Sequence, residues 1–359
     1  MVVSLLPSNS TAFELALEEA TDIASELGPS IDAIHGLKYA RPLNITVAPW
    51  LVNEYGLGPI SDFFDTVEDL IDEGRVWQRL RGTPQAITTS LSWIDYDGID
   101  IQDQVRGRRR WHLYQIQMGE LPGVDEIQRL TNAEYLAGLS DPARSFFWRG
   151  YFGYDVRGHV YGRSRWGRSI WGDSSGVRIA DGKVKWSHGR THELDATAEA
   201  GVAAELGVDF ADGDDVTWLG SLTWAAPGLT WGGVSDARVL KSWLMLQKSA
   251  HIGLYDADGD PIGYARVVRA VQDITDYGDT EDTVVLAYDA TIAFGVASGE
   301  VAFAAVVFGG VAQGVAPFKT WLDPEQIDFP DGEVRVGESP ISFTFLETVR
   351  ERIVINLTI

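Results

Sequence analysis

The chain contains no cysteine. That absence excludes disulfides, thiol catalysis and cysteine-ligated zinc or iron–sulfur centres together, while leaving the redox compartment open. Basic residues are scarce: 29 Lys and Arg stand against 52 Asp and Glu, a net charge of −23 over 359 residues. Neutralising phosphates requires a basic surface, so the balance argues against nucleic acid as a partner. Long apolar runs are missing as well. Val2–Leu6 is too short for a signal-peptide core and no basic residue precedes it, so no signal peptide is expected. Later stretches such as Val301–Phe308 have the length of a strand and fall far short of the ~20 residues of a membrane-spanning helix. Membrane insertion is therefore not expected.

What remains is 45% hydrophobic and 11% aromatic, in a chain long enough for two or three domains with sizeable cores. The charge is unevenly spread. Residues 101–190 hold 15 Lys and Arg against 9 Asp and Glu, whereas the rest of the chain is strongly acidic. Such asymmetry suits docking of one part on an acidic surface, in the molecule or on a neighbour. Solvated arginines in loops would give the same count.

The first hundred residues read as a helical unit. Thr11 and Glu14 have the spacing of a capping box, which predicts a helix over 11–27. Phe13, Leu17, Ala20, Ala24 and Leu27 recur at intervals of four and three, a heptad seam. Pro42, Pro49, Gly56, Gly58 and Pro59 punctuate a loop-rich stretch. A second helix is expected from Ser61, as its cap, to about Arg75, with Phe64, Val67, Leu70 and Ile71 as its apolar stripe. The run Arg79-Leu80-Arg81-Gly82-Thr83-Pro84 then predicts a turn at Gly82. It also predicts a third helix to about Trp93, capped by Thr83 with Pro84 in the first turn.

This order of features resembles the phage tail protein I family, the baseplate-wedge components of contractile-tailed phages, over roughly residues 4–100: a helix at Ser10–Glu14, the short apolar run Ala48–Leu51, then the Arg79–Pro84 turn between two helices. The resemblance implies a structural virion protein in the tail baseplate, assembled in the host cytoplasm. Its partners would be two copies of a larger baseplate J-like wedge protein, neighbouring wedges and a tail fibre. The resemblance also makes the 11–27 seam the segment that joins a helical bundle with partner chains.

Past residue 100 the periodicity changes. Arg110–Ile116 alternates large and polar residues, which predicts a strand, and a short helix is expected within 122–137. From about 177 short Val-, Ile-, Thr-, Tyr- and Trp-rich runs recur between Gly, Asp and Pro turns. Hairpins are expected at Ile252–Val268 and Val284–Phe308, and Glu347–Ile359 as an edge or closing strand. The fold class is α+β: a small helical unit (1–100), an arginine- and aromatic-rich connecting region (101–190), and a mostly antiparallel, sandwich-like β region (191–359).

Candidate chemistry is sparse. Asp256, Asp258 and Asp260 sit in a loop, but glycine is fourth from Asp256 and the twelfth residue is Val267, which does not fit a calcium loop; a hairpin turn fits better. Asp209, Asp212, Asp214 and Asp215 form another acidic loop. His188 and His192 are four apart beside Glu193, yet their Ser-, Gly- and Thr-rich surroundings argue against the helix that a shared metal would need. No nucleophile elbow, Walker loop or singled-out carboxylate pair is expected. No catalytic residue, metal or cofactor is assigned. Trp218, Trp224 and Trp231 could offer sugar-stacking platforms, which keeps open a glycan-binding tail-fibre protein or, further off, a carbohydrate-active enzyme. The densest cationic–aromatic cluster is Arg157, Arg163, Arg165, Arg168, Trp166 and Trp171. With the 11–27 seam and Arg81 it makes up the expected partner-binding set; internal packing of the same side chains is the alternative.

Overall fold

A computed structural model describes residues 6–37, 41–103, 111–159, 161–162, 164, 169–198, 249–270 and 285–358. The chain divides into two units: Met1–Asp95 with Leu139–Ala143, and Tyr96–Gly138 with Arg144–Ile359.

The first unit is helical. Its elements are α1 (Ala12–Thr21), α2 (Ala24–Leu37), α3 (Ala48–Glu54), a 3₁₀ turn at Gly58–Phe63, α4 (Val67–Leu80) and α5 (Pro84–Ser92). The Thr11 capping box forms, with Glu14 N donating to Thr11 Oγ1 at 3.3 Å and Thr11 N to Glu14 Oε2 at 2.6 Å. The helix expected over 11–27 is instead broken. Thr21 turns its hydroxyl back onto the Leu17 carbonyl at 2.7 Å, and Asp22 leaves the helix in an extended conformation. The helix expected from Ser61 begins later. Pro59 opens a 3₁₀ turn in which Ser61 Oγ bonds the Gly58 carbonyl, and Thr66, extended, caps α4 through the Asp69 amide at 3.1 Å. The turn at Gly82 forms at φ +82°, its amide reaching Ser140 O at 2.9 Å, and Thr83 caps α5.

The core of this unit is Leu57, Ile60, Leu70, Ile71, Trp77, Ile87 and Leu91. The polar edge of Trp77 is satisfied within it: Nε1 donates to Ser140 Oγ, which donates to Ser90 Oγ, both at 2.9 Å.

The second unit carries β1 (Asp100–Gln102), β2 (Leu113–Gln117), most of α6 (Glu126–Ser140), β3 (Phe146–Phe152), β4 (Lys185–Thr197), β5 (Ala250–Tyr255), β6 (Pro261–Ala270), β7 (Val285–Ile292) and β8 (Glu300–Phe308). The short β9 (Val311–Ala312), β10 (Trp321–Leu322) and β11 (Ile327–Asp328) follow, then β12 (Val334–Thr344) and β13 (Val349–Thr358). Among the described residues the sheet has 11 strands, in the order β1-β2-β3-β4-β13-β7-β6-β5-β8-β12, with β10 beside β6. Strands β2, β3, β4 and β13 run parallel to their neighbours in turn, and every other pairing is antiparallel. The class is α+β.

Two strand expectations need correction. β13 is interior, paired with β4 on one side and β7 on the other, and its alternating pattern reflects the two faces of a sheet rather than an edge. β7 and β8 are not a hairpin: β7 joins β6 and β13, whereas β8 joins β5 and β12. The Ile252–Val268 hairpin does form, as β5–β6, closed by Asp256 Oδ1 accepting from Asp258 N at 3.0 Å and Asp260 N at 2.9 Å.

β6 is the corner of the sheet. Its first half pairs with β5 and its second half with β7, while β10 covers Tyr264 and Ala265 on the edge that β7 leaves. Beyond this corner the sheet folds over. Gly337 of β12 lies so close to β13 and β4 that a Cβ there would stand 2.3 Å from Leu357 Cδ1 and 3.0 Å from Ala196 Cβ. The two layers share one core of Ile252, Leu254, Tyr288, Val306, Phe308, Ile353, Ile355 and Leu357.

Candidate docking surfaces

The expected partner-binding seam lies on α1 and α2, and none of their described side chains is buried. Phe13 is 76% exposed, Leu17 53% and Leu27 47%. Ala20 is exposed, and Ala24 begins α2 with its side chain outside the described set. The pattern continues past the break, since Leu27, Ile31 and Ile34 follow at intervals of four and three and are all exposed. An amphipathic helix in a globular domain buries its stripe. This one presents it to solvent.

The other expected residues divide. Arg81 is exposed but engaged within its own unit, with Nε donating to Leu139 O at 3.1 Å and the guanidinium 5.0 Å from the Trp77 ring. Arg157 is exposed and donates to Asp155 Oδ2 at 2.8 Å and Gln102 Oε1 at 3.0 Å. Trp171 packs with His159 and Tyr161, at ring-centroid distances of 4.8 and 6.0 Å. Arg163, Arg165, Trp166 and Arg168 lie outside the described residues, as do Trp218, Trp224, Trp231 and the Asp209–Asp215 loop.

His188 and His192 sit on β4, so four residues of separation place them on one face but about 13 Å apart, beyond a shared metal. They have separate partners. His188 is buried with Nδ1 2.9 Å from Thr348 Oγ1, and burial pushes its pKa down to about 3. His192 Nε2 is 3.0 Å from Glu351 Oε2. Among the described residues no group of three His, Asp or Glu could hold a metal ion.

Sequence reading missed the buried charge clusters of the second unit. Arg149 is fully buried, donating to Asp155 Oδ1 at 2.5 Å, Ser175 Oγ at 2.7 Å and Ser175 O at 3.0 Å. Glu351 is buried between His192 and Arg190, the latter reaching it through Nη2 at 2.6 Å and Nε at 3.0 Å. Burial alone would raise the Glu351 pKa, but the hydrogen bonds from His192 and Arg190 outweigh it and hold the pKa below its ordinary value. The one available hint was an arginine inside the aromatic run Phe146–Phe152; the Glu351 partners are about 160 residues away along the chain.

A nucleophile-elbow spacing was also overlooked, at Gly172-Asp173-Ser174-Ser175-Gly176. It is not an elbow in the fold. Both serines are buried and no strand–turn–helix surrounds them; Ser174 Oγ accepts from Gly158 N, and Ser175 Oγ is held by Arg149, Val156 N and Ser187.

Residues 6–137 match the family model described as Phage tail protein (Tail_P2_I). Over that region the chain is similar to phage tail proteins, which supports a structural part in a phage tail. No curated protein and no solved structure matches the chain. No helix among the described residues is long and apolar enough to cross a membrane.

Proposed function

We propose that the chain is a baseplate wedge subunit of a contractile phage tail or a related injection particle. The observation that carries this reading is the solvent-facing stripe of Phe13, Leu17, Leu27, Ile31 and Ile34 inside the region that matches the tail protein model. A stripe of that length needs a partner, and the helical arm docks with the larger wedge protein, two copies to one of this chain. Residues 1–100 form the docking part and 101–190 the connecting part. Residues 191–359 face the periphery, toward a neighbouring wedge or a tail fibre. The mechanism is mechanical: the wedge holds one ring geometry before host contact and another after it, with no reaction on a substrate.

Co-expression with the neighbouring tail genes, followed by native mass measurement, tests this. A stable complex of one copy with two copies of a larger protein supports it. A free monomer points to a lectin or enzyme, and a homotrimer to a fibre. Within such a complex, Leu17→Asp should abolish assembly, because it places a carboxylate in an apolar seam. Leu17 is 53% exposed in the free chain, so the variant should remain folded. Normal assembly of Leu17→Asp would remove α1 from the interface.

A further inference from the structure

A basic pair stands on the face of β5 and β6 turned away from the shared core. His251 and Arg266 are directly paired across the hairpin. Paired residues share a face, with Cβ atoms about 5 Å apart. Ile252, Leu254, Ala265 and Val267 belong to the core, so alternation puts His251 and Arg266 on the opposite side. The row continues through Val307 of β8 to Arg335 of β12. Its two ends differ. Arg335 is answered by Glu333, 3.3 Å from Nε, and by Glu338, 4.0 Å from Nη1. Arg266 has no such carboxylate among the described residues: its Nε is buried without a hydrogen-bond partner, and so is His251 Nδ1. His251 is 5% exposed and Arg266 half-buried. Val268, two residues along the same face, is 74% exposed, so this end of the row faces solvent.

Buried polar atoms in folded proteins are nearly always paired. Two unpaired nitrogens on neighbouring strands, one of them on a cation, are the complement of a negatively charged acceptor. Both can donate: Arg266 Nε always, and His251 Nδ1 in one tautomer of the neutral ring. Burial, and then Arg266, push the His251 pKa down to about 4, so the ring is neutral at pH 7. We propose that His251 and Arg266 form an oxyanion site, which takes a phosphate or carboxylate group between the imidazole Nδ1 and the guanidinium Nε. The anion satisfies both nitrogens and neutralises Arg266 where water is partly excluded, the setting in which charge-assisted hydrogen bonds are strongest. Arg335 is no competitor, since Glu333 and Glu338 hold it. The site lies outside the docking arm and does not depend on the role proposed for it.

Imidazole nitrogen–proton spectra of the full-length, histidine-labelled chain test this, in titrations with inorganic phosphate and separately with acetate at pH 7 and constant ionic strength. The His251 resonance, identified by its loss in His251→Gln, should move saturably. Arg266→Gln should weaken the titration on the order of tenfold or more. Arg266→Lys keeps the charge but not the Nε donor and should weaken it by a smaller factor, which keeps the test standing where the glutamine variant does not fold. Saturation by phosphate assigns the site to a phosphate group, and saturation by acetate alone assigns it to a carboxylate. A His251 resonance unmoved by either anion, or moved with equal affinity in both Arg266 variants, would overturn the proposal.

Discussion

Lowering the pH from 8 to 5 should destabilise the β-rich unit by about 2 kcal/mol through His188 alone. The imidazole is buried, and its Nδ1 is 2.9 Å from Thr348 Oγ1. The single hydroxyl proton of Thr348 is committed to Glu126 Oε1. We therefore assign the shared proton to His188 Nδ1, which leaves Nε2 as a lone pair with no hydrogen-bond partner. Protonating Nε2 would bury a cation with no acceptor, and Arg149 adds repulsion; burial is the larger cause and the pKa falls to about 3. An unfolded histidine takes up its proton near its ordinary value of 6.5. The unfolded state therefore binds more protons over the window from 6.5 down to about 3. The stabilisation is complete above 6.5 and declines by about 1.4 kcal/mol for each pH unit below it, roughly 2 kcal/mol by pH 5. Urea unfolding followed by tryptophan fluorescence, at pH 8 and pH 5, on the native chain and on His188→Gln, measures the term. The variant loses packing at both pH values, but its loss between pH 8 and pH 5 should be smaller by about 2 kcal/mol. His251, also buried and lowered to about 4, contributes to both proteins and cancels in the comparison. An identical pH dependence in the two proteins would refute the argument.

Glu351→Gln should cost about 3 kcal/mol at pH 7 in chemical denaturation, because it removes the charge held between Arg190 and His192 in a buried site. The Glu351 pKa is depressed, so its contribution is present above about 4.5 and is lost as pH falls through the lower folded value; the variant should lack that part of the acid limb. Gly150→Ala should destabilise by about 1–3 kcal/mol in thermal unfolding, since a Cβ there would stand 2.3 Å from the Trp186 ring. Thr83→Ala should cost about 1 kcal/mol by removing the cap of α5, measured by urea titration, with Thr83→Ser restoring it.

The helical unit was largely legible before the fold was known, because its signals act over three or four residues. Thr11 with Glu14, Thr83 with Pro84, and Gly82 at its positive φ are local devices, and each behaves as expected. The misreadings were also local, arising where two such devices competed. Thr21 and Asp22 end a helix that the heptad seam would have continued, and Thr66 displaces Ser61 because Pro59 had already opened a tighter turn.

In the sheet, the residues show that strands exist but not which strand meets which. Alternation along Val349–Thr358 suits an edge and an interior strand alike, and only pairing with β4 and β7 decides between them. The joint of the partner-binding set is similar. Sequence periodicity identifies Phe13, Leu17 and Leu27 as one apolar stripe, but whether such a stripe is covered depends on what packs against it, and here the fold leaves it exposed.

The sequence by itself determined the helical unit, the acidity, the turn chemistry at Gly82 and Asp256, and the absence of cysteine chemistry, since all of these depend on residues adjacent in the chain or on composition alone. Only the tertiary structure decided that the β-rich unit folds over at β6 around one core, and that Arg149, His188 and Glu351 are buried among partners drawn from distant segments. Burial and long-range pairing arise from contacts between elements, and no spacing within a single element encodes them.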